Sequence, residues 1–191
     1  MFDFITMRGN SILLVIDVQN RLISTIYEAD KLLVNIGALI NSARIFDIPT
    51  VVTEQEKLGD TVPQLRGILE KSGSYNPIRK LDFSCYRNEK FRGILEQSGC
   101  SNLVICGIEA HICVSQTALD LMENGYGVRI PGDATSSHTR EDFGIALERL
   151  RDSGAIITTT EALIYELTGK AGTPEFKRIL ELTKDRRNRL K

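Results

Sequence analysis

Short, unbroken apolar runs alternate along this chain with longer stretches in which apolar residues recur every three or four positions. Ser11-Ile-Leu-Leu-Val-Ile-Asp17 is the first such run and ends on a carboxylate. A run of that length with no polar alternation predicts a strand buried on both faces, as in a parallel sheet. Ala29 to Phe46 places Leu32, Leu33, Ile36, Leu39, Ile40 and Ala43 on one helical face. Ile48-Pro49 closes that helix, and Thr50 to Thr53 predicts the second strand. Glu54 to Thr61 is mostly polar and contains Gly59, which predicts a loop, and Pro63 opens a short helix through Leu69. Ile78 to Ser84 predicts a weak strand followed by a loop, and Glu89 to Gln97 a helix ended by Ser98-Gly99.

The same alternation continues to the end of the chain. Leu103 to Cys106 predicts a strand, interrupted at Gly107. From Cys113 onward Val114, Thr117, Ala118 and Leu121 recur at helical spacing as far as Asn124-Gly125. Tyr126 to Pro131 predicts a strand, Gly132 to Thr139 a loop of small residues, and Arg140 to Asp152 a helix with Phe143, Ala146, Leu147 and Leu150 on one face. Ala155 to Thr158 is the last predicted strand. Helices are expected over Thr160 to Leu167 and Pro174 to Arg187, the second docking on a neighbouring subunit. Strands that alternate with helices predict an α/β protein. The expected architecture is a three-layer α/β/α sandwich of Rossmann type with a six-stranded parallel sheet. With no repeat or linker to divide it, the chain is expected to form one domain over residues 1–191, its core at about 11–167 and its C-terminal helix at 174–187.

Composition narrows the function classes. At 42% apolar and 26% charged, the chain has the make-up of an ordinary globular protein, and its formal charge of −1 exerts no general pull on nucleic acid or anionic membrane. Basic residues do gather late, at Lys177, Arg178, Lys184, Arg186, Arg187, Arg189 and Lys191. A basic helical end is ordinarily a solvated face, so nucleic acid is not the expected partner, although that end keeps a nucleic-acid-associated role as a rival. Cys85, Cys100, Cys106 and Cys113 form no CxxC pair and no zinc spacing, which fits a reducing compartment: the cytoplasm, with the mitochondrion left open. Met1 to Asn10 contains Asp3 and Arg8 and has no apolar core of a leader. No run approaches the roughly 20 apolar residues of a membrane helix.

Three chemically useful side chains fall at or just beyond strand ends: Asp17, Lys80 and Cys113. In a doubly wound sheet these ends meet along one edge. Cys113 is expected at or near a helix N-terminus, where free N–H groups and the dipole ease ionisation of a thiol and can hold an oxyanion. Each residue has a plainer reading. Asp17 caps a turn, Lys80 is a surface lysine, Cys113 is a small core residue, and His111 and His138 are loop residues. Gln19, Glu54, Gln55 and Phe83 are candidates for the pocket wall, with a solvated loop or core packing as the alternatives.

Val15-Ile-Asp17-Val-Gln19, Lys80-Leu-Asp-Phe-Ser84 and Cys106-Gly-Ile-Glu-Ala-His-Ile-Cys113-Val together resemble the isochorismatase-like cysteine hydrolases, and the third segment is the most specific. Val52-Thr-Glu-Gln55, Thr61-Val-Pro63 and Ala118-Leu-Asp-Leu121 resemble the branch called isochorismatase domain-containing proteins. The resemblance spans about Ser11 to Leu167. It implies Asp17 as general base, Lys80 as its charged partner and Cys113 as nucleophile. It also implies a cis peptide between Ile108 and Glu109, with the N–H groups of Glu109 and Cys113 as an oxyanion hole. The implied activity is hydrolysis of a small carbonyl compound, most plausibly an amide, by a homodimer or homotetramer, with a catalytically silent scaffold of the same fold as the alternative. Nicotinamidases of this group carry an Asp-x-His metal motif after the second strand. Thr53-Glu-Gln-Glu-Lys57 has no histidine, so neither metal nor cofactor is expected and nicotinamide is a poor fit. True isochorismatases lack the nucleophilic cysteine, so Cys113 also argues against vinyl-ether cleavage.

Overall fold

The structure, a computed structural model, describes residues 5–191. The expectation of no leader rested on Met1 to Asn10, of which residues 1–4 lie outside the described residues. Six strands form one sheet: β1 (Ser11–Ile16), β2 (Thr50–Gln55), β3 (Ile78–Lys80), β4 (Asn102–Gly107), β5 (Gly127–Pro131) and β6 (Ile156–Thr158). Their order is β3-β2-β1-β4-β5-β6, and every pairing is parallel. The chain winds outward from β1 to β3, then crosses back and winds the other way from β4 to β6. The switch point therefore lies between β1 and β4, where an open α/β sheet leaves a crevice at its carboxyl edge.

The unbroken apolar runs are explained by the layers. Leu13 and Val15 of β1 face one core with Val104 and Cys106 of β4, while Ile12, Leu14 and Ile16 face a second with Leu103 and Ile105. The first core is closed by α1 (Ala29–Ile45), α2 (Pro63–Lys71), α6 (Thr160–Thr168) and α7 (Pro174–Arg189), and the second by α3 (Glu89–Ser98), α4 (Ser115–Glu123) and α5 (Arg140–Asp152). Side chains on both faces of a strand must then be apolar, which removes the period-two pattern. Helix starts are set by caps: Asn88, Thr139, Thr159 and Thr173 each accept an N–H from the first turn, and Pro63 and Pro174 open α2 and α7.

One expectation needs correction, and two gain detail. First, β2 runs on through Glu54 and Gln55, which their polarity had assigned to a loop. Partners distant in sequence satisfy both side chains, so they can lie in the sheet. Second, the buried face of α7 lies on α1 and α6 of its own chain, with Ile179, Thr183 and Arg186 covered. The Arg186 guanidinium donates to Asn35 Oδ1 (2.7 Å), Glu161 Oε2 (3.0 Å) and Asp133 Oδ2 (2.8 Å), and Arg187 also pairs with Glu161. Two of the late basic residues are thus used within the chain. Third, α4 begins at Ser115, and Cys113, near its N-terminus as expected, lies in the π-helical turn Ala110–Val114 that runs into it.

Gly107 ends β4 at φ +119°, and a Cβ there would stand 2.2 Å from the Ile16 carbonyl oxygen. Only glycine lets the two central strands approach this closely at their carboxyl ends. The residue after Ile16 is Asp17.

Candidate active site

Asp17 leaves β1 with φ +52°, its N–H bonded to the Thr53 carbonyl at 3.2 Å. That left-handed turn costs energy for a non-glycine residue and is held by the neighbouring strand. The carboxylate is fully engaged: Oδ1 accepts from Thr53 Oγ1 at 2.7 Å and Oδ2 from Lys80 Nζ at 2.6 Å. Lys80, the last residue of β3, lies beyond β2 and reaches back over Gln55, its register partner. Its Nζ also donates to Gln55 Oε1 (2.8 Å) and to the Asp82 and Phe83 carbonyls (3.3 Å each), and lies 3.6 Å from Cys113 Sγ. Asp17, Lys80 and Cys113 are 1, 2 and 6% exposed. Three residues from distant parts of the sequence thus form one buried cluster.

Burial works against an ion of either sign, and the cluster resolves this by pairing. Desolvation alone would lower the Lys80 pKa. The Asp17 charge, followed by the flanking thiols, more than reverses it, so the ammonium is held above its ordinary 10.5. For Cys113, burial pushes the thiol well above its ordinary 9.0. The Asp17 carboxylate raises it further, by charge and by hydrogen bonding, and Lys80 offsets only part of the rise. The resting group is therefore a neutral thiol beside a carboxylate. This corrects the expectation of an easily ionised sulfur. The π turn sets the thiol two residues before α4, and burial at 6% exposure outweighs what the helix start supplies.

Burial also raises Cys106, and it pushes Cys85 up to about 11. A folded-state thiol pKa above the unfolded one gives stability that is complete below the unfolded value and is lost as pH rises through the folded value. Between pH 9 and 11, Cys85 alone is expected to remove roughly 3 kcal/mol. Urea unfolding at pH 8 and pH 10.5 measures this. A loss no smaller in Cys85→Ala than in the wild type would contradict the assignment to Cys85.

The pocket candidates divide. Gln55 belongs to the cluster, and its Nε2 donates to the Leu81 carbonyl at 2.7 Å. Phe83 is exposed while its carbonyl faces Lys80. Gln19 and Glu54, candidates for the wall, both tie down the loop that follows β2. Gln19 is buried, with Oε1 accepting the Gln55 N–H and Nε2 donating to the Gln55 and Gly59 carbonyls. Glu54 Oε1 accepts from the Thr61 N–H, the Thr61 hydroxyl and the Tyr75 hydroxyl. A cavity of about 390 Å³ lined by Arg21, Glu54, Lys57, Asp60 and Arg79 meets the cluster only through Gln55. Its position does not make it the reaction site.

Beyond β4, the Ile108–Glu109 peptide is cis, and the Glu109 N–H donates to no acceptor among the described residues. Thr53 escaped the sequence reading, because its role appears only once β2 is registered against β1, Thr53 opposite Ile16. Among the described residues, no three or more His, Cys, Asp or Glu side chains cluster so as to hold a metal ion, and no helix is long and apolar enough to cross a membrane.

Comparison with known proteins agrees with this layout. The isochorismatase domain model matches residues 11–162. A Phytophthora sojae protein named secreted isochorismatase effector Isc1 is 36% identical over 179 residues, 92% of this chain and 85% of its own length. Isochorismatase domain-containing protein 2 of Danio rerio is 36% identical over 174 residues, 90% and 86% of the two chains. A solved structure described as MAR1 ribonuclease from Caenorhabditis elegans is 38% identical and superposes with a TM-score of 0.84, covering 93% of this chain and 91% of that one. The chain belongs to the isochorismatase family of hydrolases.

Proposed function

We propose that this chain is a metal-independent cysteine hydrolase of a small carbonyl compound, an amide, working through an acyl-enzyme. One contact set carries the reading: the Lys80 ammonium 2.6 Å from Asp17 Oδ2 and 3.6 Å from Cys113 Sγ. In the proposed sequence the amide carbonyl settles over Cys113 and displaces the last water. Asp17 takes the thiol proton as sulfur bonds to the carbonyl carbon, and Lys80 balances the negative charge shared between them. The oxygen becomes anionic and is held by the N–H groups of Glu109 and Cys113. The C–N bond breaks, and the amine leaves with the proton returned from Asp17. Water, deprotonated by the same carboxylate, then cleaves the thioester and frees acid and thiol.

The thiol's neutrality at rest suits this order of events. A general base beside it can generate the thiolate only as a substrate arrives. A homo-oligomer is part of the proposal, supported by the exposed Leu81 and Phe83 on the loop whose carbonyls hold Lys80. The Caenorhabditis elegans relative's name makes RNA cleavage the second reading. A reaction centre at most 6% exposed and a basic C-terminal helix with Arg186 and Arg187 already paired both favour the small molecule.

Rapid-quench intact-mass spectrometry on a panel of primary and N-alkyl amides tests the proposal, with an oligoribonucleotide in a parallel arm. The expected result is a mass increase equal to the acyl group, mapped to the Cys113 peptide, with ammonia or amine released. No adduct and no turnover over the panel would favour a silent scaffold. Cleavage of the oligoribonucleotide alone would favour the second reading.

A further inference from the structure

The segment Gly107 to His111, which carries the Glu109 N–H, is gripped by the loop Gly132 to Thr139. The Ala110 N–H donates to the Ser136 carbonyl (2.8 Å), the Ser136 N–H to the Gly107 carbonyl (3.3 Å), and His111 Nδ1 meets the Ser137 hydroxyl (2.9 Å). The loop is itself tied to Tyr27, through the Tyr27 N–H to the Ser137 carbonyl (2.9 Å) and the Ser136 hydroxyl to the Tyr27 carbonyl (2.6 Å). Four of these five bonds join only backbone and hydroxyl groups and do not depend on charge. A further grip does: His138 Nε2 lies 2.9 Å from Glu109 Oε1.

The surroundings of His138 place an acceptor near each ring nitrogen. Its Nδ1 faces the Thr25 carbonyl at 3.2 Å, and its Nε2 faces the Glu109 carboxylate. A neutral imidazole has a single N–H and can donate to only one of the two. Glu109 Oε1 is buried with no aligned hydrogen bond, so the contact with His138 acts mainly by charge. The Glu109 side chain is 13% exposed and the His138 side chain 41%, so the pair is screened on the histidine side only. The other titratable groups close by are His111, tied to Ser137, and the first turn of α5. There Asp142 takes the Thr139 hydroxyl, while neither Arg140 nor Glu141 pairs with His138 among the described residues.

We infer that His138 is a positioning residue for the hydrolysis proposed above. Through the 2.9 Å contact it holds the Glu109 carboxylate, and through that the peptide whose N–H faces the developing oxyanion. The inference rests on the hydrolase reading. It adds that the oxyanion hole depends on this contact at its rim. The effect should appear in kcat, since the hole is filled in the transition state and not in the ground state.

The test uses the full chain with p-nitrophenyl acetate, a small ester that needs the same oxyanion. For His138→Gln, kcat is expected to fall at least tenfold with KM within twofold. His138→Arg, which keeps a cation beside the Glu109 carboxylate, should recover most of kcat. A Gln variant with wild-type kcat would overturn the inference, as would an Arg variant no better than Gln. Nitrogen-15 NMR of the His138 ring supplies a readout independent of turnover. At one fixed pH the ring nitrogen resonances should differ between the wild type and Glu109→Gln, and identical resonances in the two would also overturn it. If Cys113→Ala hydrolyses the ester as fast as the wild type, the hydrolase reading fails and the positioning role falls with it, while the NMR comparison still decides whether the contact exists.

Discussion

Cys113→Ser is expected to cut amide turnover by at least ~10³-fold while moving the thermal midpoint by no more than a few degrees. The nucleophile's loss removes the covalent route altogether, and single losses of this kind cost about as much as losing the whole catalytic set. A thousandfold is about 4 kcal/mol of barrier. The fold should tolerate the change, because serine is smaller than cysteine and its hydroxyl can donate to Asp17, which already interacts with the thiol. Serine does not rescue the chemistry. Its hydroxyl is a much weaker acid than a thiol, and a single carboxylate beside it is a weak base for that proton. Steady-state turnover of the best amide from the panel, together with a melting curve, checks both halves. If more than a tenth of the activity survives in a protein free of wild-type contamination, Cys113 is not the nucleophile.

Lys80→Met is expected to abolish turnover and also to destabilise the fold by about 3–5 kcal/mol, the usual cost of leaving one partner of a buried ion pair behind. The pair is closed to solvent, with side-chain exposures of 0 and 1%, so water cannot take the place of the missing ammonium. Methionine fills most of the volume, which confines the penalty to charge and lost hydrogen bonds. Lys80 also donates to Gln55 Oε1 and to the Asp82 and Phe83 carbonyls, so the loop after β3 should loosen. The double variant Asp17→Asn, Lys80→Met separates charge from packing. Much of the stability should return, because no unpaired ion remains, and none of the activity should. Urea unfolding of the single and double variants reads this directly. A single variant as stable as the wild type would mean that the Asp17–Lys80 contact contributes little to the fold.

The sequence made much of the fold legible, for a physical reason. β1 and β4 are sandwiched between two helical layers, so their apolar runs are continuous and unmistakable. The amphipathic helices announce themselves by period, and caps such as Thr173 with Pro174 mark where they start. What escaped depends on contacts between distant residues. Glu54 and Gln55 look like loop residues until Thr61, Tyr75, Gln19 and Lys80 are brought to them. Thr53 supports Asp17 only because of strand register. The π turn before Ser115 was invisible because one extra residue in a turn does not disturb the helical spacing that follows it. The convergence of Asp17, Lys80 and Cys113 could be anticipated from strand ends and from the family resemblance. The resting state of the sulfur could not, since it is set by desolvation that only coordinates reveal.

That protonated sulfur has a bearing on inhibitor design. General alkylating agents depend on finding sulfur already anionic, so at neutral pH they should largely pass Cys113 by. A compound that mimics a planar acyl group and carries a modest electrophile would fare better, because seating it lets the adjacent carboxylate collect the proton at the moment of attack. Selectivity in such a crevice comes from fit before reactivity.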